Sequence, residues 1–331
     1  MNNLENPITL FKKMRQEFLS YYDTQFYINN KKIMAERANL IDKEGVMWQY
    51  PQLELLKNYE TVGNEAHESN NSVYKEVDLD PKFFDFINSS LFSSNGNGFS
   101  MYKHQAESIR MFNEGKNIVL TTGTGSGKTE GMYLPILKEI LSEATSWQPA
   151  VENGDYKWFL EKGLAFDGKT NIFQRKNEQR ISAIRCLMLF PLNALVEDQK
   201  TRLRKLFTGE MNKKLQSLIN GNQIYFGSYT GKSPGSPNRY KFTDIEKFNE
   251  LKTTLKDKYN AFEFTKEIPE VGDDIFMLES FDGGEMWSRP DMQFNPPDIL
   301  ISNYSMLSAM LSRDYESKML KQTREWLAID G

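Results

Sequence analysis

The sequence predicts an α/β protein: a parallel sheet with flanking helices, preceded by a helical N-terminal region. Three observations carry this. Beyond residue 99, short apolar runs alternate with stretches of helical spacing, the rhythm of strands joined by crossover helices. One alternation, "NIVLTTGTGSGKTEG" at 117–131, has a glycine-studded turn between its run and its helix. Residues 1–87 instead carry helical patterns, with "NSSLFSSNGNG" at 88–98 reading as a flexible polar linker between the two parts.

The elements follow in order. Asn6 and Pro7 look like an N-cap and a first-turn proline. Leu10, Met14, Phe18 and Tyr21 then share one helix face, read as packing surface, and a second helix is expected over Lys31 to Leu40. Ile118, Val119 and Leu120 read as a strand entering the glycine turn, with a helix from Lys128 to about Ile140. "AIRCLMLF" is a strand ending at Phe190, followed by a helix from about Leu192 to Phe207. "QIYFGSY" and "DILIS" are further strands, the latter followed by a short helix through "SMLSAML". Stretches near 145–182 and 232–295 are longer than ordinary connections, hence functional insertions or mobile loops.

Composition bounds the class. Of 331 residues, 39% are hydrophobic and 26% charged, values of a soluble globular chain. No apolar run nears the ~20 residues of a bilayer span, and the start "MNNLENPITLFKK" lacks the layout of a secretory signal. The single cysteine, Cys186, reads as a small buried hydrophobe. A cytoplasmic location is the expectation. The net charge of -4 neither advertises nor excludes nucleic acid, because a local basic track is what counts.

The glycine turn has a definite chemistry. Thr122, Gly123, Thr124, Gly125, Ser126 and Gly127 wrap backbone N–H groups inward, and the helix beginning at Lys128 favours an anion at its N-terminus. Lys128 is placed for outer phosphates, Thr129 for Mg²⁺, and Glu130 closes the motif. Upstream, Gln105 in "MYKHQAESIR" is the candidate reader of an adenine edge, with Tyr102 as stacking partner and His104 as support. No CxxC pair or HExxH stands elsewhere in the chain.

Ligands of open α/β sheets lie at the carboxyl ends of strands. After the second strand stand Asn193 and Gln199, with Arg202, Arg204 and Lys205 on the helix surface; after the third, Thr230 and Lys232; after the fourth, Asn303. Hydroxyls, amides and scattered cations at successive strand ends suit a phosphodiester backbone. Singly, each is equally a helix cap or a solvated charge; Asn303, for one, stands where a cap belongs. Arg289 and Asp291, within "GGEMWSRPDMQ", are either site residues or a loop-stabilising ion pair.

With these residues in place, the chain resembles the first motor lobe of superfamily 2 helicases of the DEAD/DEAH-box type, an incomplete RecA-like P-loop NTPase lobe. "YKHQ" looks like the adenine-reading motif, "TGTGSGKTE" like motif I and "LFPLNALVEDQ" like motif Ia; "YTG" and "PPDILISNYSML" resemble later strand-contacting motifs. More narrowly, "MLFPLNALVEDQ", "FGSYTG", "GGEMWSRPDMQ" and the N-terminal "NPITLFKKMRQEFLSYYDTQF" resemble large bacterial helicase-like proteins met in phage-defence and DNA-repair settings. The resemblance implies ATP and Mg²⁺ as cofactors. It implies nucleic acid, DNA more than RNA, as a partner, and a second lobe or defence-system proteins as others. By position, Asn193, Thr230 and Asn303 would touch the strand.

The family's Walker B element, an apolar run ending in Asp-Glu, is not found in the sequence; "LVEDQ" belongs to motif Ia. Nor is the second lobe. The expectation is a fragment that binds nucleotide and lacks nucleic-acid-stimulated hydrolysis, since phosphoryl transfer depends on positioning metal and water. A non-catalytic binding module is the alternative. A P-loop phosphotransferase is a third, weakened because no acceptor-binding carboxylate pair stands at a strand end.

Overall fold

A computed structural model describes residues 6–52, 58–62, 78–94, 97–98, 100–123, 125–152, 155–161, 174–235 and 245–329. The chain divides into two units, residues 1–58 and 59–331.

In the first unit, helix α1 (Pro7–Gln25) starts as its sequence signals, with the Asn6 side chain accepting from the Ile8 N–H. Helix α2 (Lys31–Ile41) is capped by Asn30. Within this unit the stripe Leu10, Met14, Phe18, Tyr21 is not the face that packs: all four are exposed. The face that packs carries Phe11, edge-on to Trp48 at 6.0 Å, and Arg15, 4.0 Å from the Trp48 ring and bonded to Asp42. Periodicity identifies an apolar face but not which neighbour, if any in the same unit, covers it.

The second unit is an incomplete RecA-like α/β lobe. Strands β1 (Cys186–Phe190), β2 (Phe226–Tyr229) and β3 (Ile299–Asn303) lie parallel in the order β1–β3–β2. Ile299 pairs with both Cys186 and Phe226, so β3 is central and its first four residues are buried, as a parallel strand covered on both faces requires. Helices α4 (Lys103–Asn113), α5 (Lys128–Ala144) and α6 (Asn193–Phe207) supply Ile109, Leu137 and Leu203 to one core.

Two expectations are corrected. Residues 88–98 are not where the chain divides. Asn88 to Ser90 close helix α3 (Phe84–Ser90), whose Phe86 and Ile87 join the main core, and Ser93–Ser94 pairs antiparallel with Asn97–Gly98. Second, Ile118–Leu120 forms no strand, and Val119 is 84% exposed. Among the described residues no neighbouring strand runs beside it, and a run of β-formers becomes a strand only through a ladder partner.

The two long stretches fold against each other. Trp158 and Phe159 from the first pack with Phe248 and Leu255 of helix α8 (Ile245–Lys266), and with Phe281 and Trp287. Helices α7 (Gly209–Leu218), α9 (Arg289–Phe294), α10 (Tyr304–Leu311) and α11 (Ser317–Ile329) complete the lobe.

Asp298, wholly buried, rivets the starts of all three strands. Its carbonyl accepts from Arg185 and Cys186, its carboxylate from the Tyr225 N–H at 2.8 Å, and Arg180 and Arg185 ion-pair with it at 2.6 and 2.8 Å. Burial opposes its charge, yet Arg180, Arg175 and Arg185 hold this carboxyl well below the usual range.

Candidate nucleotide and nucleic-acid site

The phosphate loop folds as its residues demand. Gly125 and Gly127 take φ of +72° and +69°, which glycine adopts freely, and at Gly127 a Cβ would also lie 2.3 Å from Gln105 Nε2. Helix α5 starts at Lys128, so its unpaired first-turn N–H groups face the loop. Lys128 Nζ donates to Thr122 O at 2.7 Å, and the Ser126 hydroxyl bonds Thr122 Oγ1 at 2.6 Å and Gly123 O at 2.9 Å. The Thr129 hydroxyl makes no hydrogen bond among the described residues. Thr124 lies outside them.

Gln105 is buried and used at both ends. Its Oε1 accepts the Tyr102 N–H at 2.8 Å, and Nε2 donates to Gly127 O at 2.9 Å, tying the start of α4 to the phosphate loop. Tyr102 stacks on His104 at 5.5 Å. Tyr59, unremarked in the sequence, reaches over both: its ring lies 5.7 Å from Tyr102 and 5.4 Å from His104, and its hydroxyl accepts the Gly123 N–H at 3.0 Å. Loop, Tyr102 and Gln105 line a cleft of about 680 Å³, ample for a nucleotide. Among the described residues no cluster of three His, Cys, Asp or Glu side chains is placed to hold a metal. A Mg²⁺ here would rest on Thr129 and on the phosphates themselves, the way Mg²⁺ is commonly held.

At the strand ends, Asn193 and Asn303 meet: Asn303 Nδ2 donates to Asn193 Oδ1 at 2.9 Å, while Asn303 Oδ1 caps α10 through the Met306 N–H at 2.8 Å. Thr230, buried after β2, accepts the Lys232 N–H at 3.2 Å and receives the Arg289 guanidinium on its carbonyl. Arg289 N also bonds Pro234 O at 2.9 Å, so Arg289 brackets this loop. It makes no pair with Asp291, whose carboxyl accepts from Ser288, Trp158 and Gln174; burial pushes that carboxyl up to about 6.

Three residues of α6 are elsewhere than the sequence suggested. Gln199 is buried, accepting the Tyr133 hydroxyl at 2.9 Å and so joining α6 to α5. Arg202 lines the nucleotide cleft, 3.3 Å from Glu130 and 3.2 Å from Asp198, because helical spacing turns it toward α5. Arg204 is no surface residue: buried, it forms a paired-nitrogen bridge to Glu285, both contacts 2.7 Å. That bridge gives the "GGEMWSRPDMQ" segment its role, seating it under α6 and the Thr230 loop. Its partners stand 81 residues apart, a separation no local pattern reports.

Residues 102–227 match the DEAD/DEAH box helicase family. Druantia protein DruE of Escherichia coli (strain UMEA 4076-1) is 26% identical over 362 aligned positions, covering 96% of this chain and 17% of that protein. The chain thus spans a small part of that relative's length. No solved structure matches. The matched stretch takes in Tyr102, Gln105, the phosphate loop, Asn193 and the first half of β2. Over residues 102–227, then, this chain is similar to the DEAD/DEAH box helicases, on a partial RecA-like lobe.

Proposed function

We propose that this chain is the ATP-binding motor lobe of an ATP-dependent DNA helicase or translocase. The observation that carries the reading is the phosphate loop, set on the N-terminus of α5 at a cleft shared with Tyr102 and Gln105. Lys128 exchanges the Thr122 carbonyl for the outer phosphates, and Thr129 takes Mg²⁺. The glycines, Thr122, Ser126 and Glu130 shape the cradle, Tyr102 stacks on the base, and Gln105 couples the base end to the loop. ATP supplies the phosphoryl group whose transfer drives such lobes. Asn193, Asn303, Thr230 and Lys232 contact the strand at the carboxyl ends of β1, β3 and β2.

No Walker B run occurs in the sequence, so residues 1–331 bind nucleotide without nucleic-acid-stimulated turnover. A binding module without hydrolysis is the second reading, supported by Ile118–Leu120 standing outside the sheet. DNA over RNA, a defence setting, a cytoplasmic location and association with a second lobe or defence proteins belong to the proposal. Among the described residues, no helix is long and apolar enough to cross a membrane.

A fluorescent ATP analogue and a phosphate-release assay test this. Lys128→Ala is expected to weaken nucleotide binding at least about tenfold, the loss of one charge-assisted phosphate contact. Single-stranded DNA is expected to leave phosphate release at background. Turnover that rises with DNA and vanishes in Lys128→Ala would overturn the inactivity, and absence of nucleotide binding would overturn the reading altogether.

A further inference from the structure

We propose that the cavity between α6, the loop after β2 and α8 receives a nucleobase turned out of a bound single strand. This rests on the strand-binding reading above and adds to it a pocket for one unit of the ligand. The cavity measures about 320 Å³, the low end for small-molecule sites, room for one ring system and not for a second strand. Buried Thr230 and exposed Lys232 are among its lining residues, so a nucleotide with its phosphate on Lys232 has its base within reach.

The chemistry of the walls selects a base over a second phosphate. Phe262, Met286 and Met292 form buried apolar walls, surfaces of ring and thioether against which a flat π-system packs. The charges around them are already paired. Lys258 holds Glu279 at 2.6 Å, and Arg204 holds Glu285 at 2.7 Å, so the cavity is not dominated by free charge of either sign. Lys232, at the exposed rim, has no carboxylate partner among the described residues, which suits a phosphate outside the cavity rather than within it.

Ser228 supplies a polar group in the wall. It lines the cavity, is 8% exposed, and its hydroxyl has no hydrogen-bond partner among the described residues. That hydroxyl opens to the cavity, where a ligand can replace water as its partner. A base edge supplies both donors and acceptors. Single strands let bases splay into such pockets, whereas a duplex keeps them stacked.

The test compares two ligands on the whole chain by fluorescence anisotropy: a short single-stranded oligodeoxynucleotide and an abasic strand of equal length. Wild type is expected to bind the intact strand about tenfold tighter, the scale of one well-packed base. Ala261→Trp fills the mouth from an exposed rim position and is expected to abolish that difference while retaining wild-type circular dichroism. Ser228→Ala should reduce the difference, and Lys232→Ala should weaken both strands alike. Equal binding of the two strands by wild type, or an undiminished difference in Ala261→Trp, overturns the cavity and leaves the strand-binding reading standing. Binding of neither strand overturns both.

Discussion

The two ends of the sheet are built from different chemistry. Where the strands begin, buried charges dominate: Asp298 with Arg180 and Arg185, and Glu178 with Arg175 and Arg180. Where they end, neutral amides and hydroxyls take a larger share, beside the buried Arg289 and Glu316: Asn193 meets Asn303, Thr230 meets Ser233 and, at the phosphate loop, Gln105 meets Gly127. A buried ion pair is costly to part-dismantle, whereas a neutral hydrogen bond nets about 1 kcal/mol and is readily exchanged. The lobe is therefore locked where the strands begin and more readily exchanged where they end, the end proposed to bind ligands. Lys128 resting on the Thr122 carbonyl is the plainest case of a contact made to be traded.

The largest effect should come from breaking the locked end. Asp298→Ala strands Arg180 and Arg185 and frees the Tyr225 N–H, an expected loss of about 3–5 kcal/mol in urea denaturation. The pH dependence has the matching sign: the native Asp298 carboxyl titrates below its unfolded value, so its stabilisation is present above about pH 4 and is lost as pH falls. A loss no greater than an exposed substitution would show that the rivet is ornamental.

Asp155 sharpens the same contrast from the other side. Burial pushes its carboxyl up to about 8, against partial relief from Tyr225 and Gln174. The folded state then keeps a proton that the unfolded chain releases, so this group's contribution is full below about pH 4 and fades as pH rises toward 8. Asp155→Asn should flatten that decline and melt higher than wild type at pH near 8. A melting profile parallel to wild type across this window would count against it.

At the exchangeable end the effects should be smaller on stability and larger on binding. Asn303→Ala removes a helix cap and the bond to Asn193, an expected cost of about 1–2 kcal/mol. It should weaken single-stranded DNA while leaving ATP-analogue affinity unchanged. Tyr59→Phe should be the mildest, below about 1 kcal/mol, since only the hydroxyl on Gly123 N is lost. Calorimetric melting and nucleotide titration of the same variants separate the two expectations.

Much of the site's framework was legible because it is local. Asn6 and Asn303 sit where caps belong and do cap, and the phosphate loop needs glycine where the backbone turns left-handed. Arg204 shows the limit. Alongside Arg202 and Lys205 it reads as a solvated charge, yet it is buried because Glu285, far along the chain, folds underneath it. Gln199 likewise gains a partner that no local pattern reports, Tyr133, 66 residues away.

By itself, the sequence determined the strands Cys186–Phe190, Phe226–Tyr229 and Ile299–Asn303, the helices starting at Lys128, Asn193 and Tyr304, the phosphate loop and the helix caps. Each depends on backbone conformation within a few residues, where φ preferences and side-chain reach decide the outcome. Tertiary structure decided which apolar runs became strands, which helix faces were covered, and which charged groups were withdrawn from water. Among the described residues Ile118–Leu120 lacks a ladder partner, the Leu10–Tyr21 stripe is exposed within its unit, and Arg204 gains a buried carboxylate. Each of those outcomes turns on a partner distant in sequence, because burial and pairing belong to two surfaces at once.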